Sequence, residues 1–337
     1  MKDIAVIIPV YNGEKTLVSC VESVLSAGKR ISEIIIVDDG STDKTLETAY
    51  CLSEKENRIT VIHTENHGCY AARITGIKAS TSPYIAFADV DDRFCSGALD
   101  LLAELIEKYD ADVAMGSYRE VASPEDSIQN CEAPEIRNVP AEIMWKRIMK
   151  WKMQEFVCYV WNKIYKREAL MNLVNAGGVN QGEDVLITCQ AFINIEKIIE
   201  TSAPVYLYYC NPESLTRSAF GDGDIGLIRV WDIIVEMMRA KRPDLLAMAQ
   251  FNRWRTDFTL ITRLILANDK KLDMKYADEL DSWRKSLKEH WRGLISPHAM
   301  PRNRELLVIG LRFFFTPTKK LIRLGRKLTG KMTSFLL

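Results

Sequence analysis

The chain has 337 residues, of which 47% are hydrophobic and 27% charged, the make-up of a globular protein with one large domain or two ordinary ones. Its formal net charge is zero but unevenly placed: residues 301–337 hold nine Lys or Arg and one Glu (9 − 1 = +8), which leaves 36 basic and 44 acidic side chains (−8) on the rest. No apolar run is long enough to span a bilayer. The eight cysteines form no Cys-x-x-Cys pair and the four histidines are scattered, which argues against a disulfide framework or a zinc site and for reduced thiols buried among apolar neighbours (Cys20, Cys51, Cys158, Cys189, Cys210).

In chain order, Met1-Lys2-Asp3 leads directly into an apolar run from Ile4 to Val10, so no leader peptide is expected. That run reads as a strand; Tyr11-Asn12-Gly13 is a turn, and residues 14–27 have helical spacing ended by Gly28. A second buried strand over 34–37 runs into Asp38-Asp39-Gly40-Ser41-Thr42-Asp43, whose Ser41 or Thr42 can cap a helix from Lys44. A third strand is expected at 59–63, a small-residue helix at 69–79 and a fourth strand at 84–88. Continuous apolar strands, each followed by a helix, predict an α/β fold with a mostly parallel sheet covered on both faces. Ligands bind such sheets beyond the carboxyl ends of the strands. The polar groups there are Tyr11-Asn12, Asp38-Asp39 and Asp89-Val90-Asp91-Asp92.

The last group is the focus of the chain. Three carboxylates this close repel one another unless they are solvated or neutralised. They form either a solvated acidic turn or a site for a hard divalent cation, Mg²⁺ or Mn²⁺, held by one or two carboxylates and substrate phosphates. Further on, a helix is expected at 97–109, a strand at 112–118, a loop over 122–139 and a helix at 141–152. Glu183-Asp184 opens an apolar helix, a placement that the helix dipole favours by itself. A strand at 204–210 and a turn at Asn211-Pro212-Glu213-Ser214 follow. The texture is then helical over 225–240, 245–267 and 274–291. From Leu306 to Leu337 apolar and basic residues alternate, which reads as a membrane-surface anchor or as a solvated helix packed on the body. No nucleic-acid motif accompanies this charge.

The ordered set Val6-Ile7-Ile8-Pro9-Val10-Tyr11-Asn12, Ile36-Val37-Asp38-Asp39-Gly40-Ser41-Thr42-Asp43, Asn66-His67-Gly68 with Ala72-Arg73, and Ala88-Asp89-Val90-Asp91-Asp92 resembles the family 2 glycosyltransferases. Trp161-Asn162-Lys163-Ile164-Tyr165, Gly182-Glu183-Asp184 and the stretch 208–216 extend the likeness to about residues 3–220. The resemblance implies a GT-A fold (Rossmann-like) with a C-terminal helical extension: a catalytic domain over 1–220, helices over 221–300 and a basic amphipathic tail over 301–337. It implies that Pro9, Tyr11 and Asn12 border the nucleotide base and ribose, and that Asp38 or Asp39 hydrogen-bonds them. Arg73 would bind the nucleotide or orient the acidic cluster, Asp89 would contact ribose or sugar, and Asp91 would ligate Mn²⁺ or Mg²⁺. Two departures stand out: Val90 where relatives often carry a small residue, and Ile74-Thr75-Gly76 where they usually show Asn-x-Gly.

Such an enzyme needs a metal ion for the departing diphosphate and a base for the acceptor hydroxyl. Asp184 is the candidate base, with Glu183 as the alternative. One base and direct attack predict inversion. Lys163 touches phosphate or caps its strand, and Trp145, Trp151 and Trp161 stack on an acceptor sugar or fill the core. The expected protein uses a nucleotide-sugar donor, UDP-linked, and a glycan or lipid-linked glycan acceptor. It would work in the cytoplasm at the inner face of a membrane, in surface polysaccharide synthesis, with a homo-oligomer open. The competing readings are a nucleotidyltransferase, whose Gly-rich phosphate loop is missing here, and an inactive membrane-associated scaffold.

Overall fold

The computed structural model describes residues 3–122, 134–152, 157–174, 176, 179, 181–209 and 220–329. Its chain divides into two compact units, Met1–Trp145 with Cys158–Arg217, and Lys146–Val157 with Ser218–Leu337.

The first unit is built on one sheet. Strands β1 (Ile4–Val10), β2 (Ile31–Asp39), β3 (Ile59–Thr64) and β4 (Tyr84–Phe87) alternate with helices α1 (Leu17–Ala27), α2 (Thr45–Lys55) and α3 (Cys69–Ala79). The remaining elements are β5 (Arg93–Phe94), α4 (Ala98–Tyr109), β6 (Val113–Val121), β7 (Ile136–Asn138), α5 (Ala141–Ile148, of which Lys146 onward is counted with the second unit), β8 (Lys163–Lys166), α6 (Glu183–Phe192) and β9 (Ile198–Tyr209). The sheet order is β3-β2-β1-β4-β8-β6-β9-β5, with β7 on β9. The first four strands pair in parallel, as their continuous apolar runs require. Beyond β4 the sheet is mixed: β8 inserts antiparallel between β4 and β6, while β6 and β9 are parallel. The loop expected over 122–139 contains the short strand β7, and the strand expected at 204–210 is the end of a twelve-residue one.

Alternation along β1 places Ile4, Val6, Ile8 and Val10 in one core with Leu17, Cys20, Val21 and Val24 of α1 and Leu99, Leu102 and Ile106 of α4. Against the other face lies α3. There Gly76 sits so close to β1 that a Cβ would stand 2.4 Å from Ile7 Cγ2, which is why this helix tolerates a glycine.

The second unit is helical: α7 (Asp222–Lys241), α8 (Leu246–Ala267), α9 (Lys270–Lys275), α10 (Ala277–Ile295), α11 (Arg302–Phe313) and α12 (Phe315–Thr329). Its core includes Phe251, Phe258, Ile261, Leu264, Trp283, Leu287, Val308, Leu311 and Ile322. The helix expected over 274–291 is broken at Tyr276, whose ring packs edge-on against Phe220. No helix among the described residues is long and apolar enough to cross a membrane. The thiols of Cys20, Cys158 and Cys189 are buried as expected, but Cys51 lies on the exposed side of α2. Cys210, the turn Asn211–Ser214, Thr216 and residues 330–337 lie outside the described residues.

Candidate active site

The carboxyl ends of β1, β2 and β4 bring the polar groups together by a chain of loop-to-loop bonds. Asn12 adopts a left-handed conformation (φ 53°), from which its Oδ1 accepts from the Thr42 backbone N–H at 2.8 Å. Its own N–H donates to Ser41 Oγ at 2.9 Å, and the N–H of Gly13 donates to Thr45 Oγ1 at 2.8 Å. Asn12 therefore staples the turn after β1 to the turn after β2. Pro9 lies buried within β1 opposite Val37, whereas Tyr11 is half exposed. Val90 packs against Gly13, where a Cβ would approach its Cγ2 to 3.0 Å, so the bulkier residue at this position fills the floor of the turn.

Asp38 and Asp39 have separate tasks. Asp39 accepts from the backbone N–H groups of His67 (2.9 Å) and Gly68 (2.8 Å), so both of its oxygens fasten the start of α3. Asp38 is fully buried; its Oδ2 lies 2.7 Å from His63 Nδ1, while its Oδ1 has no protein partner. A buried acceptor left in this state costs free energy unless something donates to it.

Arg73 is the hub. It projects from α3, is buried, and donates to three carboxylates: Asp184 Oδ1 at 2.6 Å, Asp89 Oδ1 at 2.7 Å and Glu183 Oε1 at 3.4 Å. Burial would lower the guanidinium pKa; the charges of Asp184, Asp89 and Glu183 outweigh it and raise it well above its usual value. Glu183 and Asp184 form the first turn of α6, preceded by Gly182 in a left-handed conformation (φ 79°) that aims the helix start inward. Burial pushes the Asp184 carboxyl up to about 7, with Glu183 and Asp89 adding repulsion that Arg73 and Lys163 oppose. Arg73 thus links Asp89, Glu183 and Asp184 through one guanidinium.

After β4, Asp91 is exposed, and its carboxyl is raised by desolvation and by Asp89. Asp92 is buried, accepts from the Tyr209 backbone N–H at 2.8 Å and is pushed up to about 9 by burial and by its two neighbours. Among the described residues no group of three or more His, Cys, Asp or Glu side chains is arranged to hold a metal ion. Asp91 is the exposed carboxylate of the set. It fits a hard ion that takes one protein ligand and completes its shell with phosphate oxygens. Lys163 is buried in β8 and donates to the Tyr159 carbonyl and, at 2.7 Å, to Asn162 Oδ1.

Two further residues, His63 and Tyr206, join the site in the folded chain. The Tyr206 hydroxyl accepts from the Asp89 N–H at 2.9 Å, and its ring stacks on Trp161 at 4.5 Å, which ties the acidic loop to β9. Trp145 and Trp161 are core residues. In the sequence Tyr206 stands out only as one of three tyrosines in Tyr206-Leu207-Tyr208-Tyr209, and the pairing of β9 with β5 and β6 shows which ring meets the acids.

A sequence profile described as "Glycosyl transferase family 2" matches residues 5–174. The chain is 32% identical over 218 residues to the uncharacterized glycosyltransferase EpsJ of Bacillus subtilis, covering 64% of this chain and 63% of EpsJ. It is 30% identical over 226 residues to each of two Streptococcus pneumoniae glycosyltransferases, GlyG and GlyA, spanning 74% of the first and 31% of the second. Among solved structures, S. aureus TarS residues 1–349 superpose with a TM-score of 0.62 at 18% identity over 98% of this chain and 92% of that one, and a TarS complex with UDP-GlcNAc with a TM-score of 0.65. At that identity the likeness establishes the GT-A fold.

Proposed function

The chain belongs to glycosyl transferase family 2, and from that membership we propose that it moves a sugar from a UDP-linked donor to a hydroxyl of a glycan acceptor, with inversion at the anomeric carbon. One observation carries the reading: a buried guanidinium joins Asp89, after β4, to Asp184, at the start of α6, within hydrogen-bond distance of both. In this reading the Asp184 carboxylate takes the proton of the attacking hydroxyl. The acceptor oxygen bonds to the anomeric carbon as the bond from that carbon to the diphosphate breaks, and the electron pair leaves on the nucleoside diphosphate. A base with a pKa of about 7 is available near neutral pH and still strong enough to take the proton. A single displacement inverts the carbon.

Arg73 fixes the base and Asp89 in one geometry. Asp38, oriented by His63, offers its unpartnered Oδ1 to an N–H of the nucleobase. Asp91 would hold Mn²⁺ or Mg²⁺ against the diphosphate, where the ion supplies Lewis-acid stabilisation of the leaving charge. The TarS complex with UDP-GlcNAc supports a UDP-sugar as donor and makes UDP-GlcNAc the first to try. We read the acceptor as a growing lipid-linked glycan of the cell surface.

Calorimetric titration of UDP and GDP, each with and without Mn²⁺, tests this on the wild type and on Asp91→Asn. Mn²⁺-dependent UDP binding is expected, weakened at least about tenfold in Asp91→Asn. Asp184→Asn is expected to bind UDP as the wild type does and to lose about 10²- to 10⁴-fold in transfer. UDP binding indifferent to Mn²⁺ in both proteins would remove the metal from the reading, and no nucleotide binding at all would remove the reading itself.

A further inference from the structure

The hairpin of α11 and α12 is apolar on two sides. Its inner side belongs to the core of the second unit: Val308, Leu311 and Ile322 are buried. The two helices approach closely at Gly310, where a Cβ would stand 2.8 Å from Thr318 Oγ1. The Arg284 guanidinium covers the Phe315 ring at 4.0 Å, and Asp273 accepts from Arg323 at 2.7 Å and from Lys319 at 3.3 Å. The hairpin is thus fastened to the unit by its inner face, and what lies outside is held in place.

Outside it carries Leu306 (68% exposed), Phe313 (51%), Phe314 (64%), Leu321 (66%) and Leu324 (54%). Leu306 and Phe313, seven residues apart on α11, share one helix face, Leu321 and Leu324, three apart on α12, share another, and Phe314 lies in the bend between the helices. Five large apolar side chains concentrated on one hairpin exceed the scattered exposure of ordinary surfaces and mark an interaction site.

Charge selects the occupant. The segment 301–337 carries a net +8 against −8 on the rest of the chain, and of its cations Lys319 and Arg323 are paired with Asp273. Arg302 and Lys320 are exposed and have no ion pair among the described residues. A second copy would bring an equally basic hairpin against this one, and like charges across an interface are unfavourable. An anionic lipid surface satisfies both properties: its headgroups attract the cations, and its acyl boundary takes the Leu and Phe side chains. We propose that the outer face of the α11–α12 hairpin is a docking surface for an anionic membrane, entered by Phe314, Leu321 and Leu324, while Phe313 is held at its edge by an edge-on contact with Trp291. The proposal adds a physical partner to the lipid-linked acceptor read above, but it stands on the hairpin alone.

The test is co-sedimentation of the full-length chain with phosphatidylcholine vesicles, with and without 30% phosphatidylglycerol, against the double variant Leu321→Ser/Leu324→Ser and the single variant Lys320→Glu. Both alter exposed positions, and an unchanged melting temperature and UDP affinity show that the fold survives. Wild type is expected to pellet with the anionic vesicles and to remain soluble with neutral ones. The partition coefficient is expected to fall at least about tenfold in the double variant and severalfold in Lys320→Glu. Wild type left in the supernatant with both vesicles, or a double variant that pellets like the wild type, overturns the proposal. A wild-type dimer on gel filtration that Leu321→Ser/Leu324→Ser converts to a monomer assigns the face to a second copy and also overturns it. None of these readouts uses turnover, so their failure is separate from failure of the transferase reading.

Discussion

Successive residues of a strand point to opposite faces, and that alone separates Asp38 from Asp39. Ile35 and Val37 pack with Ala72 of α3, so Asp39, two residues on, meets the amides that open α3. Ile34 and Ile36 belong to the other core, and Asp38 shares their face, where its register partner His63 reaches it. The sequence shows that this pair matters but leaves its division of labour open, because the faces are assigned only once α3 is docked. Arg73 is legible in the same partial way: the residue is visible, its partners are not, since Asp184 lies 111 positions away. Its charge lowers the pKa of Asp184, while burial, Glu183 and Asp89 raise it. In Arg73→Ala the lowering influence is gone, so the pKa of the base rises above about 7 and the carboxylate form is lost at higher pH. The acid limb of the kcat profile is therefore expected to move to higher pH, with transfer at pH 7 reduced by about 10-fold or more. A profile that falls in height without moving would show that Arg73 only supports the fold.

At the scale of elements, the first four strands and three helices follow from apolar runs and punctuating glycines, because each carries its pattern within its own residues. The insertion of β8 between β4 and β6 is not readable in this way: a four-residue strand carries little periodicity, and its place depends on antiparallel pairing with partners some 50 to 80 residues distant. The break at Tyr276 is not legible in the sequence, because the hydrophobic spacing continues across it. Helix α3 links element to site, since it carries Arg73 on the same rod as Gly76. In Gly76→Ala the new methyl meets Ile7 Cγ2 at 2.4 Å and Ile7 Cγ1 at 3.2 Å, and β1 is central and fully buried. Overpacking costs about 1–3 kcal/mol, against about 1 kcal/mol gained in helix propensity. The expected result is a net loss of up to about 2 kcal/mol in urea unfolding, together with reduced UDP affinity as α3 shifts. Full stability with normal affinity would mean that α3 has room to slide.

Across the whole molecule, composition anticipated an acidic body and a basic end, and the structure adds that each compact unit has its own apolar core. The residues read as binding the donor, from Tyr11 to Asp184, all belong to the first unit. A ligand that binds only the native form stabilises what must be intact to bind it, by about 2.7 kcal/mol at a hundredfold excess over Kd. UDP with Mn²⁺ is therefore expected to slow amide exchange in β1, β2, β4 and α3 while leaving the slowest amides of α8 and α10 unchanged, measured by hydrogen exchange and mass spectrometry. Equal slowing in α8 and α10 would show that the chain opens as one cooperative body, in which case a substitution in the helical unit would reach the donor site through stability alone. Slowing confined to the first unit would instead let the helical unit, with its apolar hairpin, vary without altering the chemistry.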